Sequence, residues 1–160
     1  MSSITAIDTS QMMIDRYKAK THELGARHKN TMAIKGDLFS EPPEPLVLAQ
    51  DKYHNFSLIT VGAALHHFPD TEHAVQCLAR RIRPGGVLCV EDIFDNGHRQ
   101  QEKKQPRGFT LDELRSVMSG AGLVDFRFEV LPNEFEIELP GDELVKMKCF
   151  IARAMKPVTN

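Results

Sequence analysis

An α/β fold on a mainly parallel sheet is what the sequence predicts, from three features. Strand-like and helix-like patterns alternate along the chain. Two of the strand-like runs end in an acidic residue, Asp8 and Asp37. Clusters of glycine and proline punctuate the rest. At 160 residues the chain suits one domain with one core. A hydrophobic content of 41% with 26% charged residues is ordinary for a soluble globular protein. A net charge of −2 argues against a nucleic-acid or membrane-surface partner. No apolar run is long enough to span a bilayer, and the start carries no secretory signal pattern.

Taken in order, "SITAI" (Ser3–Ile7) reads as a short buried strand with Asp8 at its end. Thr9 or Ser10 can cap the helix that follows, in which Met13 and Tyr17 share a face at four-residue spacing, and Gly25 is its stop. "TMAIKGD" is a second strand ending in Gly36-Asp37, and "EPPEP" then breaks regular structure, since proline lacks a donor and fixes φ. "FSLITVG" is a third strand, uncharged and partly β-branched, as suits a strand covered on both faces. Asp70 can cap a helix whose apolar stripe is Ala74, Val75, Leu78 and Ile82.

"RPGG" is a turn signal, and "VLCVEDIF" is the next buried strand. Residues 96–107 contain nothing apolar and are expected as loop. "TLDE" (Thr110–Glu113) fits a capping box, after which Leu111, Leu114, Val117, Met118 and Ala121 keep helical spacing until Gly122. "LVDFRFEV" and "KCFIARA" are the last two strands. Between them "EFEIEL" alternates cleanly, either extending the sheet or forming a flap. The three cysteines, Cys77, Cys89 and Cys149, lack metal-ligand spacing and are expected as free thiols, which points to a reducing, cytoplasmic compartment. No metal is expected.

Few residues can carry chemistry. Asp8 at a strand tip offers two acceptor oxygens in one plane, a match for a vicinal diol; its other reading is an acid stabilised by the helix dipole. Asp37 is a second such carboxylate, or a polar turn residue. His66 and His67 form a titratable pair, one able to take a proton near neutral pH, or else one capping a turn while the other packs. Glu91 and Asp92 are further acid candidates or helix caps. The segment "HRQQEKKQPR" either folds over a substrate or is a solvated surface loop.

Together these segments resemble the class I S-adenosylmethionine (SAM)-dependent methyltransferases, in particular those acting on small molecules. "ITAIDTSQMM" is similar to that family's second strand and acidic tip, and "KGDL" to the end of its third. "FSLITVGAALHHFPD" resembles its fourth strand and turn, "LARRIRPGGVLCVED" the entry to its fifth, and "GFTLDELRSVMSGAGL" the helix before its sixth. The resemblance implies a Rossmann-like sheet in the order 3-2-1-4-5-7-6, mostly parallel with an antiparallel last strand. It implies SAM as cofactor, with Asp8 on the ribose hydroxyls, Ser10 at the family's expected offset among the cofactor-binding residues, and Met13 as a packing wall for the adenine or else simply core. It further implies Asp37 and the Leu38 N–H on the adenine edge, and Gly62 and Ala63 against the methionine portion. His66 and His67 are the catalytic candidates, and the partner is a small-molecule substrate.

The family's first strand and its D-x-G-x-G-x-G loop have no counterpart in these 160 residues. The resemblance therefore implies an N-terminally truncated domain over residues 1–157, lacking the central first strand, with 158–160 as a tail. SAM affinity would then be much reduced, and an exposed sheet edge would favour a homo-oligomer. Three arrangements are open: "SITAI" pairs directly with "SLITV", the first unit is loosely held, or a second chain fills the slot. Two functions stand: in-line methyl transfer to a small molecule, or a non-catalytic methyltransferase-like chain acting as a binding or regulatory partner or as an incomplete gene product.

Overall fold

A computed structural model describes residues 3–25, 30–96, 108–139 and 143–158. The chain divides into two compact units, Met1–Tyr53 and His54–Asn160.

The first unit is a β-α-β crossover. Strand β1 (Ile4–Asp8), helix α1 (Gln11–Glu23) and strand β2 (Thr31–Lys35) follow one another, and the helical crossover makes the two strands parallel. Their register runs from Ile4 opposite Thr31 to Asp8 opposite Lys35. Ser10 is the N-cap of α1, its Oγ accepting the Met13 N–H at 3.4 Å. Gly25, at φ +69°, follows the helix end in the left-handed conformation that only glycine adopts without cost. Beyond β2, two 3-10 turns (Leu46–Ala49 and Asp51–Tyr53) bury Leu48 and Tyr53, and Ile14 is the buried residue of α1. Apolar periodicity gives no signal for such short turns.

In the second unit, strands β3 (Phe56–Gly62), β4 (Ile82–Ile93), β5 (Val124–Leu139) and β6 (Glu143–Met155) form one sheet in the order β3-β4-β6-β5. β3 and β4 are parallel, whereas β6 is antiparallel to both neighbours. Helix α2 (Thr71–Arg81) is capped by Asp70, which accepts the His73 N–H at 2.8 Å; its stripe Ala74, Val75 and Leu78 is buried, as is Ile82 beyond it. Helix α3 (Leu111–Gly120) opens with the expected reciprocal capping box between Thr110 and Glu113 and buries Leu114 and Met118. Leu88 and Val90 of β4 and Phe150, Ala152 and Ala154 of β6 complete the core, with Phe128 stacked on Phe150 at 4.9 Å.

Two sequence expectations change here, and one open alternative is resolved. "RPGG" is not a free turn: β4 begins at Ile82 and carries these residues as a bulge. The ladder to β3 skips from Ile82 to Val87, while Gly85 and Gly86 exchange backbone bonds with Lys156. The two glycines are needed there. Gly85 sits at φ +73°, and a Cβ on Gly86 would lie 2.8 Å from the Phe56 carbonyl oxygen. β3 is not covered on both faces: it is the edge of its sheet, and Leu58 is 54% exposed. In the first unit β1 is laddered to β2, and in the second β3 is laddered to β4. "EFEIEL" extends the sheet, because β5 continues against β6 after a register shift between Val130 and Glu134. The segment "HRQQEKKQPR" lies outside the described residues. The three cysteines are free thiols. Among the described residues no helix is long and apolar enough to cross a membrane.

Candidate active site

In the first unit the parallel pairing sets the tips of β1 and β2 at the same end. The Gly36 N–H donates to the Asp8 carbonyl at 2.9 Å, which ties the two acidic turns together. Asp8 Oδ1 accepts the Ser10 N–H at 2.7 Å, so this oxygen also holds the entry to α1. Oδ2 has no partner among the described residues. Asp37 repeats the arrangement, with Oδ1 accepting the Phe39 N–H at 2.8 Å and its backbone paired to Glu44 in both directions. The Leu38 N–H, between these bonded neighbours, has no partner among the described residues. A hollow of about 520 Å³ lies at these tips, lined by Thr9, Lys35, Gly36, Asp37, Glu44, Pro45 and Leu46. Gly36 keeps its wall thin: a Cβ there would meet Leu48 Cδ1 at 2.5 Å and the Glu44 carbonyl oxygen at 2.7 Å.

At these tips two carboxylate oxygens and one N–H are free among the described residues, a set that can accept from hydroxyl or amine donors and donate to a ring nitrogen. Met13 stands on the first turn of α1 and is 44% exposed, available as an apolar surface.

In the second unit the chain leaves β3 through a strained turn. Gly62 is exposed, with open space where a Cβ would stand. Ala63 is held at φ +47° while its N–H donates to the Glu91 carbonyl at 2.8 Å. A non-glycine residue in this region costs about 1–2 kcal/mol, so the neighbouring β3–β4 ladder must impose it. A 3-10 turn, Leu65–His67, follows. Leu65 is fully buried and anchors it.

That turn meets the end of β4. Asp92 has a fully buried side chain, and two backbone N–H groups and the His66 ring converge on it. The His66 ring Nδ1 lies 2.6 Å from Oδ1, the His66 backbone N–H donates to Oδ2 at 3.2 Å, and the Ile93 N–H donates to Oδ1 at 2.7 Å. Buried carboxylates need such partners. The His66 side chain is 11% exposed, and its ring packs 3.9 Å from that of His67, itself an exposed residue.

The sequence reading names all these residues but not the pairing. His66 and Asp92 are 26 positions apart. The available signal is topological: adjacent parallel strands bring the turn after the first to the carboxyl end of the second. The other acid candidate here, Glu91, is exposed.

The strand order, with its antiparallel β6, defines a Rossmann-like α/β protein of the class I SAM-dependent methyltransferase fold. The chain belongs to the methyltransferase-domain family, whose model matches residues 1–88. A relative, the demethylmenaquinone methyltransferase of Staphylococcus aureus, is 32% identical over 89 residues. That match covers 55% of this chain and 32% of the relative, so the chain spans about a third of the curated relatives it matches. The solved structure of the YcgJ protein of Bacillus subtilis superposes with a TM-score of 0.74 at 16% identity, covering 98% of this chain and 83% of that one. The [4+2]-cyclase SpnF superposes with a TM-score of 0.66 at 18% identity, covering 98% and 67%. At such identities the likeness is one of fold, and fold alone does not choose a reaction.

Proposed function

We propose that this chain is a SAM-dependent methyltransferase acting on a small molecule by in-line methyl transfer. The observation that carries this reading is the paired tips of β1 and β2. There Asp37 lines a hollow of about 520 Å³, and Asp8 Oδ2, Asp37 Oδ2 and the Leu38 N–H, at the same strand tips, have no partner among the described residues. Family membership supports the same reading, as does the similarity to the demethylmenaquinone methyltransferase of Staphylococcus aureus.

In the first unit Asp8 accepts from the ribose hydroxyls, Ser10 fixes the turn that aims it, and Met13 flanks the adenine. Asp37 and the Leu38 N–H read the adenine edge. SAM, when bound, supplies an electrophilic methyl group whose bond to sulfur breaks as the bond to the acceptor forms, leaving a neutral thioether. In the second unit Gly62 and Ala63 leave room for a ligand to approach the backbone, and the His66–His67 turn serves the acceptor. Placing the acceptor is the greater part of the task, because an in-line displacement gains most from alignment. The D-x-G-x-G-x-G loop of the family is not among residues 1–160. Within these residues the grip on the donor is therefore expected to rest on the adenosine half.

Calorimetric titration of the chain with S-adenosylhomocysteine tests the reading. Saturable binding that weakens at least tenfold in Asp8→Ala is the expected result. Absence of heat at millimolar ligand would instead favour a non-catalytic binding partner.

A further inference from the structure

We propose that Asp92 is a positioning residue that fixes the His66 ring with its proton on Nδ1, leaving Nε2 as the proton acceptor for a methyl acceptor bearing an O–H or N–H. This deepens the methyltransferase reading and, for the substrate class, rests on it. The Asp92 carboxylate already takes two backbone N–H groups, from His66 and Ile93, so toward the ring it too is an acceptor. At 2.6 Å the ring contact is shorter than an ordinary N–H···O hydrogen bond. A neutral imidazole that gives its one proton to a carboxylate presents a lone pair at its other nitrogen. Nε2 has no partner among the described residues and is not among the sealed, unpartnered polar atoms, of which Thr71 Oγ1 is the one described.

The geometry is also rigid. Because the carboxylate binds the backbone N–H and the ring of the same residue, main chain and imidazole are held as one piece. Leu65, fully buried, pins the turn on one side, and β4 holds Asp92 on the other. A ring locked this way is suited to proton transfer, for which the acceptor must lie within hydrogen-bond reach before reaction. The proton leaves the acceptor's oxygen or nitrogen, Nε2 takes it, and the imidazolium charge faces the Asp92 carboxylate. Acceptors with no proton to lose, such as tertiary amines or thioethers, gain nothing from this arrangement. His67, exposed and bonded to no carboxylate among the described residues, lacks it.

Nitrogen-15 NMR of the imidazole rings tests this without any donor bound, with His66 assigned by its loss in His66→Gln. The neutral wild-type ring should be protonated at Nδ1 and bare at Nε2; a proton on Nε2 would overturn the proposal. In Asp92→Asn the amide can donate where the carboxylate accepted, so a shift of the tautomer population toward Nε2–H is expected, and an unchanged population counts against Asp92. Should that variant not fold, titration of the wild type with phenol and with anisole decides. Phenol, which has a proton to give, should move the His66 Nε2 signal saturably, and anisole should not. No response to phenol, or equal response to both, contradicts the assigned substrate class. Lack of S-adenosylhomocysteine binding would defeat the methyltransferase reading while leaving these ring signals as predicted, so the two failures are distinct.

Discussion

Asp8 and Asp92 both stand near the carboxyl ends of parallel strands, yet the two units use them in opposite ways. Asp8, in the first unit, is half-buried and spends one oxygen on a local turn, leaving the other unpartnered. Asp92, in the second, is sealed from solvent and takes two backbone N–H groups and a ring contact from two elements. The first carboxylate is available to a ligand; the second is committed to the protein and acts through a histidine. Strand-tip position makes an acid a candidate, and its partners decide what kind.

The contrast is sharpest in stability. Asp92→Ala removes the acceptor of two backbone N–H groups, that of Ile93 buried and that of His66 partly so, and a buried one costs about 1–3 kcal/mol when left unpaired. A loss of about 3 kcal/mol is expected in urea unfolding followed by circular dichroism. A loss below 0.5 kcal/mol, in the range of ordinary surface substitutions, would mean the carboxylate is not holding the turn. Next in size is Gly36→Ala, whose Cβ would overlap the Glu44 carbonyl and Leu48. Overpacking of this kind costs about 1–3 kcal/mol, and nucleoside binding at the hollow should fall with it. Thr110→Ala, which opens the α3 capping box, should cost about 1 kcal/mol. Asp8→Ala should cost about 1 kcal/mol or less, since a single turn bond is lost; its effect belongs in ligand binding.

The smallest expected effect is on the thiols. Burial pushes the Cys89 and Cys149 thiols above their usual range, and the nearby Glu91 charge adds to it. For an acid whose folded-state pKa is raised, the associated stability is fully present below the unfolded value of 9.0 and is lost as pH rises through the folded value. Iodoacetamide should therefore label both residues more slowly than an unfolded control at pH 8. Equal rates would show that the β4 and β6 positions are open.

Much of the fold is legible in the sequence because its signals are local. Ser10, Asp70 and the Thr110–Glu113 box each lie within three residues of the N–H they bind. The strand assignments rest on period-two or continuous apolar runs, which survive without knowledge of neighbours. What depends on neighbours is misread. "FSLITVG" has the composition of a covered strand yet forms a sheet edge, because exposure is set by which strands lie beside it. "RPGG" is a turn by composition, but pairing with Lys156, some seventy residues later, makes it a bulge. The site divides the same way. Asp8, Asp37 and the two histidines are visible from strand-tip and turn positions, whereas the His66–Asp92 contact exists only once β3 and β4 are paired.

The account turns on the tips of β1 and β2 being a nucleoside site, and amide NMR of the whole chain titrated with S-adenosylhomocysteine reads this most directly. Saturable shifts should concentrate on residues 8–13 and 36–39, with the Leu38 amide moving furthest as its free N–H gains an acceptor. Shifts confined to other segments, or a Leu38 amide that stays in place while binding is saturated, would contradict it.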